Sequence, residues 1–339
     1  MSKKVAFIGL RHGHVKGLYK LLQERGGAVA VAACEEDAGT RESLVDSGIA
    51  ITHNSYEAML TDADCDIVAC GDYYAVRGER LEKALEAGKH VIADKPLCTS
   101  LTELDRIETL AREKDLRVGC MLALCDAAPI QTLRRLLREG ALGEVHTIHF
   151  DGKHPLNYGH RPAWYFEEGK HGGTLNDIAI HAIDAIPWIT GIDLAEVTAA
   201  RAWNARLKEC PFFQDAAVCM LLMENGGAVT GDVSYLAPEG QGFTMPSYWR
   251  FSMAGSEGYA ETSATSDAVR LFRKGATEGE TIALDPARPG GYWDDFLADI
   301  DGQPNEQGLN TARVLLSARR TLEVQAAADS GTFPRPLAG

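Results

Sequence analysis

Between Val5 and Met121 short apolar runs alternate with amphipathic helical stretches, and this rhythm constrains the chain more than any other feature. The runs are Val5–Ile8, Val29–Cys34, Ile67–Ala69, His90–Ala93 and Val118–Met121. Between them Val15, Leu18, Tyr19 and Leu22, and later Leu81 and Leu85, recur at helical spacing. Ser100-Leu101-Thr102-Glu103 is a capping-box pattern that opens a helix running to about Lys114. Strands separated by whole helices pair in parallel, because such a connection crosses over the sheet instead of folding back as a hairpin. Residues 1–121 are therefore expected to form a Rossmann-like, doubly wound parallel sheet.

The tips of those strands carry the candidate ligand contacts. Gly9-Leu10-Arg11-His12-Gly13-His14 follows a strand and opens a helix, the context of a dinucleotide fingerprint. Gly9 takes the first glycine's place, Arg11 the second's and His14 the third's, with Gly13 displaced by one. Backbone N–H groups of this turn, with Arg11 or His12, can meet a pyrophosphate; a plain strand-to-helix turn is the other reading. Glu35 is the first residue past the second strand, where a carboxylate binds ribose hydroxyls and favours NAD over NADP. Lys95 stands at the fourth tip, ahead of Pro96, which fixes the chain direction.

A second concentration of polar groups lies in Gly172-Gly173-Thr174-Leu175-Asn176-Asp177 and the residues that follow. From Asp177 onward Ile178, Ile180, Ala182, Ile183 and Ile186 predict a buried helix. Asp177, His181 and Asp184, at i, i+4 and i+7, then share one face. Three readings fit: a cleft-lining catalytic pair, a hydrogen-bonded pair inside a core, or a metal site. Neither a second His at i+4 nor a CxxC accompanies them, so no metal is assigned here. The two glycines allow close backbone approach at the helix N-terminus, where free N–H groups favour negative charge.

Past a helix over Pro129–Glu139, the strand Val145–Phe150 runs into a polar and aromatic loop, Asp151–Pro162. Tyr158, His160 and Arg161 in that loop are candidates for a hydroxylated small-molecule substrate. Strands at Val197–Trp203, Ala216–Met223, Ala228–Tyr235, Trp249–Gly255 and Val269–Arg273 predict a large, mostly antiparallel sheet with one open face. Residues 122–339 form this second, α/β domain, with the last helix, about Leu309–Ala328, free to pack back on the first. Only Gln303–Gln307 and the Pro/Gly-containing tail look loose. A net charge of −14 without a basic cluster argues against nucleic acid. No apolar run is long enough to span a bilayer, and none near the N-terminus suits a signal peptide. Eight scattered cysteines without framework spacing fit a reducing, cytoplasmic setting.

Gly88-Lys89-His90-Val91-Ile92-Ala93-Asp94-Lys95-Pro96-Leu97 resembles the "aGKHVlxEKPl" segment of the Gfo/Idh/MocA family of nicotinamide-dependent oxidoreductases, with Asp94 where Glu is usual. Gly172 to Asp184 resembles that family's "GGG…D…H…D" segment, with Thr174 closing the glycine run, and Glu139 to Val145 its turn into the second domain. The final helix and Ser330-Gly331-Thr332-Phe333 extend the likeness over nearly the whole chain. The resemblance implies Lys95, Asp177 and His181 as the catalytic set. It implies cofactor contacts from Gly9, Arg11, His12, Gly13, His14, Glu35, Gly71, Asp72, Asp94, Lys95 and Trp164, and a homo-oligomer built through the open sheet face. The chain departs from the family where Cys70-Gly71-Asp72 replaces a Thr-Pro-Asn type tip, where Arg77 replaces a His, and where Met121–Asp126 lacks an Asn or Arg. The expected activity is hydride transfer between NAD(H) and a hydroxyl- or carbonyl-bearing carbon of a sugar, polyol or related compound. His181 serves as general base and Lys95 as alkoxide stabiliser, roles that are interchangeable at this level, while Asp177 orients His181 or the substrate. A non-catalytic NAD- or sugar-binding regulator and a hydrolase, metal-dependent or NAD-assisted, are the alternatives.

Overall fold

A computed structural model describes residues 2–303 and 308–339; the stretch Gln303–Gln307, expected from its sequence to be loose, falls mostly at 304–307, which lie outside the described residues. The chain divides into two compact units. The first comprises Met1–Met121, Pro162–Gly172 and Tyr292–Leu315, and the second Leu122–Arg161, Gly173–Gly291 and Leu316–Gly339. Two later segments, Pro162–Gly172 and Tyr292–Leu315, thus group with the residues up to Met121.

The first unit is built on five parallel strands, β1 (Lys3–Ile8), β2 (Ala28–Cys34), β3 (Ile67–Cys70), β4 (His90–Ala93) and β5 (Val118–Cys120), in the order β2-β1-β3-β4-β5. Helices α1 (Gly13–Arg25), α2 (Ala38–Ser43), α3 (Tyr56–Asp62), α4 (Tyr74–Glu86) and α5 (Leu101–Glu113) supply the crossovers. The doubly wound parallel sheet expected from the alternation is present. Helix α1 buries Val15, Leu18, Tyr19 and Leu22, the face its periodicity predicts. At α5 Ser100 Oγ accepts from Glu103 N–H at 3.2 Å, while the Glu103 carboxylate reaches back to Thr99 N–H at 3.1 Å. The core under the sheet joins Val5, Phe7, Ile67 and Ile92 to Leu18 and Tyr19, and also to Trp293 and Phe296 of the helix Gly291–Ile300. A β-carbon on Gly119 would fall 2.8 Å from Phe296 Cδ2, so this late helix seats only because β5 carries glycine there.

The register explains the site. Ile8 pairs with Cys34 on one side and Cys70 on the other, and Cys70 pairs with Ala93. These four strands end level, so the residues that follow emerge along one edge, where open α/β sheets bind ligands.

The second unit holds α6 (Ala128–Arg138), α7 (Ile180–Thr190) and a nine-stranded sheet, β6 (Val145–Pro155), β7 (Leu194–Trp203), β8 (Ala216–Met223), β9 (Ala228–Ala237), β10 (Tyr248–Gly255), β11 (Gly258–Ser263), β12 (Ala268–Arg273), β13 (Glu280–Ala283) and β14 (Arg335–Pro336). Its order is β13-β12-β11-β10-β6-β9-β8-β7-β14, antiparallel throughout except for the parallel β6–β9 pair. Strand β6 runs to Pro155 instead of ending at Phe150. Asp151, Gly152 and Lys153, read as loop from their polarity, pair with Asp232, Val233 and Ser234 of β9, so cross-strand bonding overrides composition. Strands β11, β13 and β14 were not expected; β13 is short and largely exposed, with no apolar alternation to mark it. On β8, Ala217, Cys219, Leu221 and Met223 are buried while Val218, Met220 and Leu222 stand exposed, so one face of the sheet is open. No helix among the described residues is long and apolar enough to cross a membrane.

Candidate active site

In the first unit the strand tips are locked by close backbone contacts. Gly9 has φ +68°, and a β-carbon there would lie 2.4 Å from Asp72 Cβ. One on Gly71 would lie 2.3 Å from Val15 Cγ1. These glycines are fixed by packing between neighbouring tips. Gly13, the first residue of α1, has nothing within 4 Å of its β-carbon position, which leaves the helix N-terminus open.

Glu35 is fully buried and accepts from Leu10 N–H at 2.7 Å, Asp37 N–H at 2.9 Å and Arg11 Nε at 3.3 Å. Burial pushes its carboxyl up, opposed by the Asp37 N–H, Arg11 and the Leu10 N–H. Arg11 also lies 3.2 Å from Asp72, so the side chain in the second glycine's place spends its charge on two carboxylates. His12 caps α1, its Nε2 stands 2.9 Å from Tyr165 Oη, and burial holds its imidazole below the ordinary value. Asp94, also buried, meets His12 and, at 2.8 Å, His14. Trp164 packs edge-on to Tyr74, ring centroids 4.8 Å apart, and stacks on Tyr165 at 4.2 Å.

Arg77 proves central to this edge. It is fully buried, donates from Nε to Asp72 O at 2.7 Å, and from Nη1 to the carbonyls of Asp94, Lys95 and Pro96 at 3.0, 2.7 and 3.0 Å. One guanidinium thus ties the β3 tip to the β4 tip and fixes the backbone that presents Lys95, whose side chain is itself buried. The sequence flagged Arg77 only as a departure from the family; what it binds could not be read, because carbonyl acceptors leave no mark in a sequence.

In the second unit the segment before α7 is not a plain α-helix. Leu175–Ala179 is a π-turn, a widening found frequently at functional sites. Asp177 and His181 are both buried. Tyr235 Oη donates to the Asp177 carboxylate, and the His181 ring lies edge-on to Trp249 with centroids 5.0 Å apart. Asp184 instead accepts from Ser317 Oγ at 2.9 Å and from Cys125 Sγ at 3.5 Å, so the third acid ties α7 to the last helix, Thr311–Ser330. The helix N-terminus is not an anion site of free N–H groups. Gln325 Oε1 accepts from Leu175 and Asn176 N–H at 3.0 and 3.3 Å, and its side chain fills the space beside Gly173, where a β-carbon would come within 2.3 Å.

Residues 3–121 match the family description "Oxidoreductase family, NAD-binding Rossmann fold", and residues 130–261 match "GFO/IDH/MocA C-terminal domain". The chain belongs to the Gfo/Idh/MocA family. It is 26% identical over 257 residues to an uncharacterized oxidoreductase of Synechocystis, spanning 72% of this chain and 68% of that protein. It is 27% identical over 194 residues to the 1,5-anhydro-D-fructose reductase of Ensifer adhaerens, but spans only 55% of this chain and 52% of that enzyme. The solved inositol dehydrogenase homolog of Azotobacter vinelandii, complexed with NAD+, shares the fold with a TM-score of 0.82 at 16% identity, covering 99% of this chain and 97% of that one. As a member of this family the protein is an oxidoreductase with an NAD-binding Rossmann fold.

Among the loop candidates, Tyr158 and His160 line an open cleft of about 570 Å³ together with Arg206, Glu209 and Glu239. Arg161 turns elsewhere: it donates to Pro155 and Leu156 carbonyls, each at 2.9 Å, and its guanidinium lies 5.1 Å from the Tyr235 ring centre. Tyr235 and Trp249 escaped the sequence reading. Both sit on strands far along the chain from the residues they support, and no local pattern links them.

Replacing Arg77 by Met leaves Asp94 and four carbonyls without their cation, so stability should fall by about 3–5 kcal/mol in urea unfolding. A loss below about 1 kcal/mol would show that Arg77 does not organise the edge.

Proposed function

We propose that the protein is an NAD-dependent oxidoreductase acting on a hydroxyl- or carbonyl-bearing carbon of a sugar, polyol or related small molecule. The observation that carries this reading is the level ending of β1, β2, β3 and β4, with Gly13 leaving open space at the α1 N-terminus beside them. Those residues fit a dinucleotide: a helix N-terminus accepts phosphate charge, and the glycine opposes no approach. The likeness to a 1,5-anhydro-D-fructose reductase supports a sugar-like substrate. When bound, the nicotinamide supplies or accepts the hydride.

The chain's own residues then handle the proton and the charge. In the oxidising direction His181 takes the hydroxyl proton at its imidazole, the group suited to proton transfer near neutrality. Lys95 serves as the alkoxide stabiliser, its ammonium offsetting developing negative charge. Asp177, held by Tyr235, orients His181 or the substrate. His181 and Lys95 exchange these roles if the lysine is the proton carrier. Tyr158 and His160, in their cleft, and Arg161, on Tyr235, are proposed substrate-side residues.

NAD is the proposed cofactor in preference to NADP. Glu35 stands directly after β2, where a carboxylate opposes a 2′-phosphate. The described residues form no disulfide and the eight cysteines are buried, which supports a reducing, cytoplasmic setting. Exposed Val218, Met220 and Leu222 on the open sheet face support self-association there.

Each part has its own measurement. His181→Ala should lower turnover by roughly 10²–10⁴ with NADH affinity unchanged in a fluorescence titration. Asp177→Asn, nearly isosteric, should lower turnover at unchanged melting temperature; a variant at either position that is fully active but less stable marks a structural pair instead. Calorimetry should find NADH bound more tightly than NADPH, with Glu35→Ser narrowing the difference, and the reverse order would refute the assignment of Glu35. Sedimentation should give an oligomer that Met220→Asp dissociates, and a monomeric wild type would remove that surface from consideration.

A further inference from the structure

The turn between β1 and α1 gathers three metal-ligating side chains at one point. His12, His14 and Asp94 each present an atom there, and these atoms lie within 4.8 Å of one another. The hydrogen bonds identify which nitrogens face inward. His12 Nδ1 lies 3.4 Å from His14 N–H, and its Nε2 stands 2.9 Å from Tyr165 Oη. That same Nδ1 lies against one Asp94 carboxylate oxygen, and His14 Nδ1 lies 2.8 Å from the other. An imidazole nitrogen this close to a carboxylate oxygen needs a proton or a cation held between them, and a cation is shared by all three groups at once.

We propose that His12 Nδ1, His14 Nδ1 and the Asp94 carboxylate bind a divalent transition-metal ion of the zinc type. Two imidazoles and one carboxylate make a three-ligand set of nitrogen and oxygen donors with positions left open. Around it stands the outer layer such ligands require. Tyr165 Oη is 2.9 Å from the distal nitrogen of His12 and 2.6 Å from Tyr74 Oη, while Arg77 lies 3.6 Å from Asp94. The His14 side chain is 49% exposed, so it can swing outward by the small amount that ligation at about 2.0–2.1 Å needs. All three ligands belong to the first unit.

The test is calorimetric titration of EDTA-stripped protein with zinc chloride, paralleled by cobalt(II) followed through its visible absorbance. Wild type should take up about one ion at this site, with the intense cobalt bands of a low-coordinate nitrogen–oxygen site. His14→Ala removes a half-exposed side chain, so the fold should be retained by circular dichroism while affinity falls by more than about tenfold. Tyr165→Phe, which removes only the outer hydrogen bond, should cost about 10–100-fold. No saturable uptake by wild type, or uptake undiminished by His14→Ala, would overturn the site, because the ion would then be absent or bound elsewhere.

Discussion

The first unit depends on taking one guanidinium out of water. A buried cation costs several kcal/mol unless hydrogen bonds and an opposite charge replace its hydration. Arg77 meets that requirement with four carbonyls from two strand tips and with Asp94 nearby, so the tips cannot move apart without exposing its charge to an apolar surround. The level strand endings make such a bridge possible, and the close packing of Gly9 against Asp72 completes it. Lys95 is presented from this braced corner, which gives an ammonium near the sheet edge a fixed backbone.

The altered fingerprint is better understood as a substitution of function than as damage. Where the second glycine would leave room, Arg11 folds onto Glu35 and Asp72. Where the third would allow close helix packing, His14 joins His12 on Asp94. The turn keeps its tight geometry through Gly9 while its surface becomes a network of charged and imidazole groups.

In the second unit the acid–histidine pair is supported by strands remote in sequence. Tyr235 on β9 fixes Asp177, and Trp249 on β10 stands against His181. Trp249 holds φ +55°, a backbone region that bulky residues rarely occupy and that persists only where surrounding packing overrides its cost. The π-turn at Leu175–Ala179 departs from regular geometry in the same place. Irregular backbone concentrated around two buried polar side chains is the pattern of a site whose geometry is held against local preference.

Much of this was written in the sequence because its causes are local. Strand–helix alternation, the capping box at Ser100 and the apolar face of α1 follow from propensity and periodicity, which act over a few residues. The tips carrying Gly9, Glu35, Asp72 and Lys95 were legible for the same reason, since they are defined by where apolar runs stop. The sequence by itself also determined that Asp177 and His181 lie one turn apart. Only the tertiary structure decided what each polar group faces: Asp184 turned to Ser317, Gln325 closed the helix N-terminus, Arg77 found its carbonyls, and two late segments returned to the first unit. These pairings join residues far apart in the chain, Gln325 and Leu175 by 150 positions, and no local pattern records them. They are selected by the cost of leaving a buried donor or charge without a partner, a cost that exists only once the chain is packed.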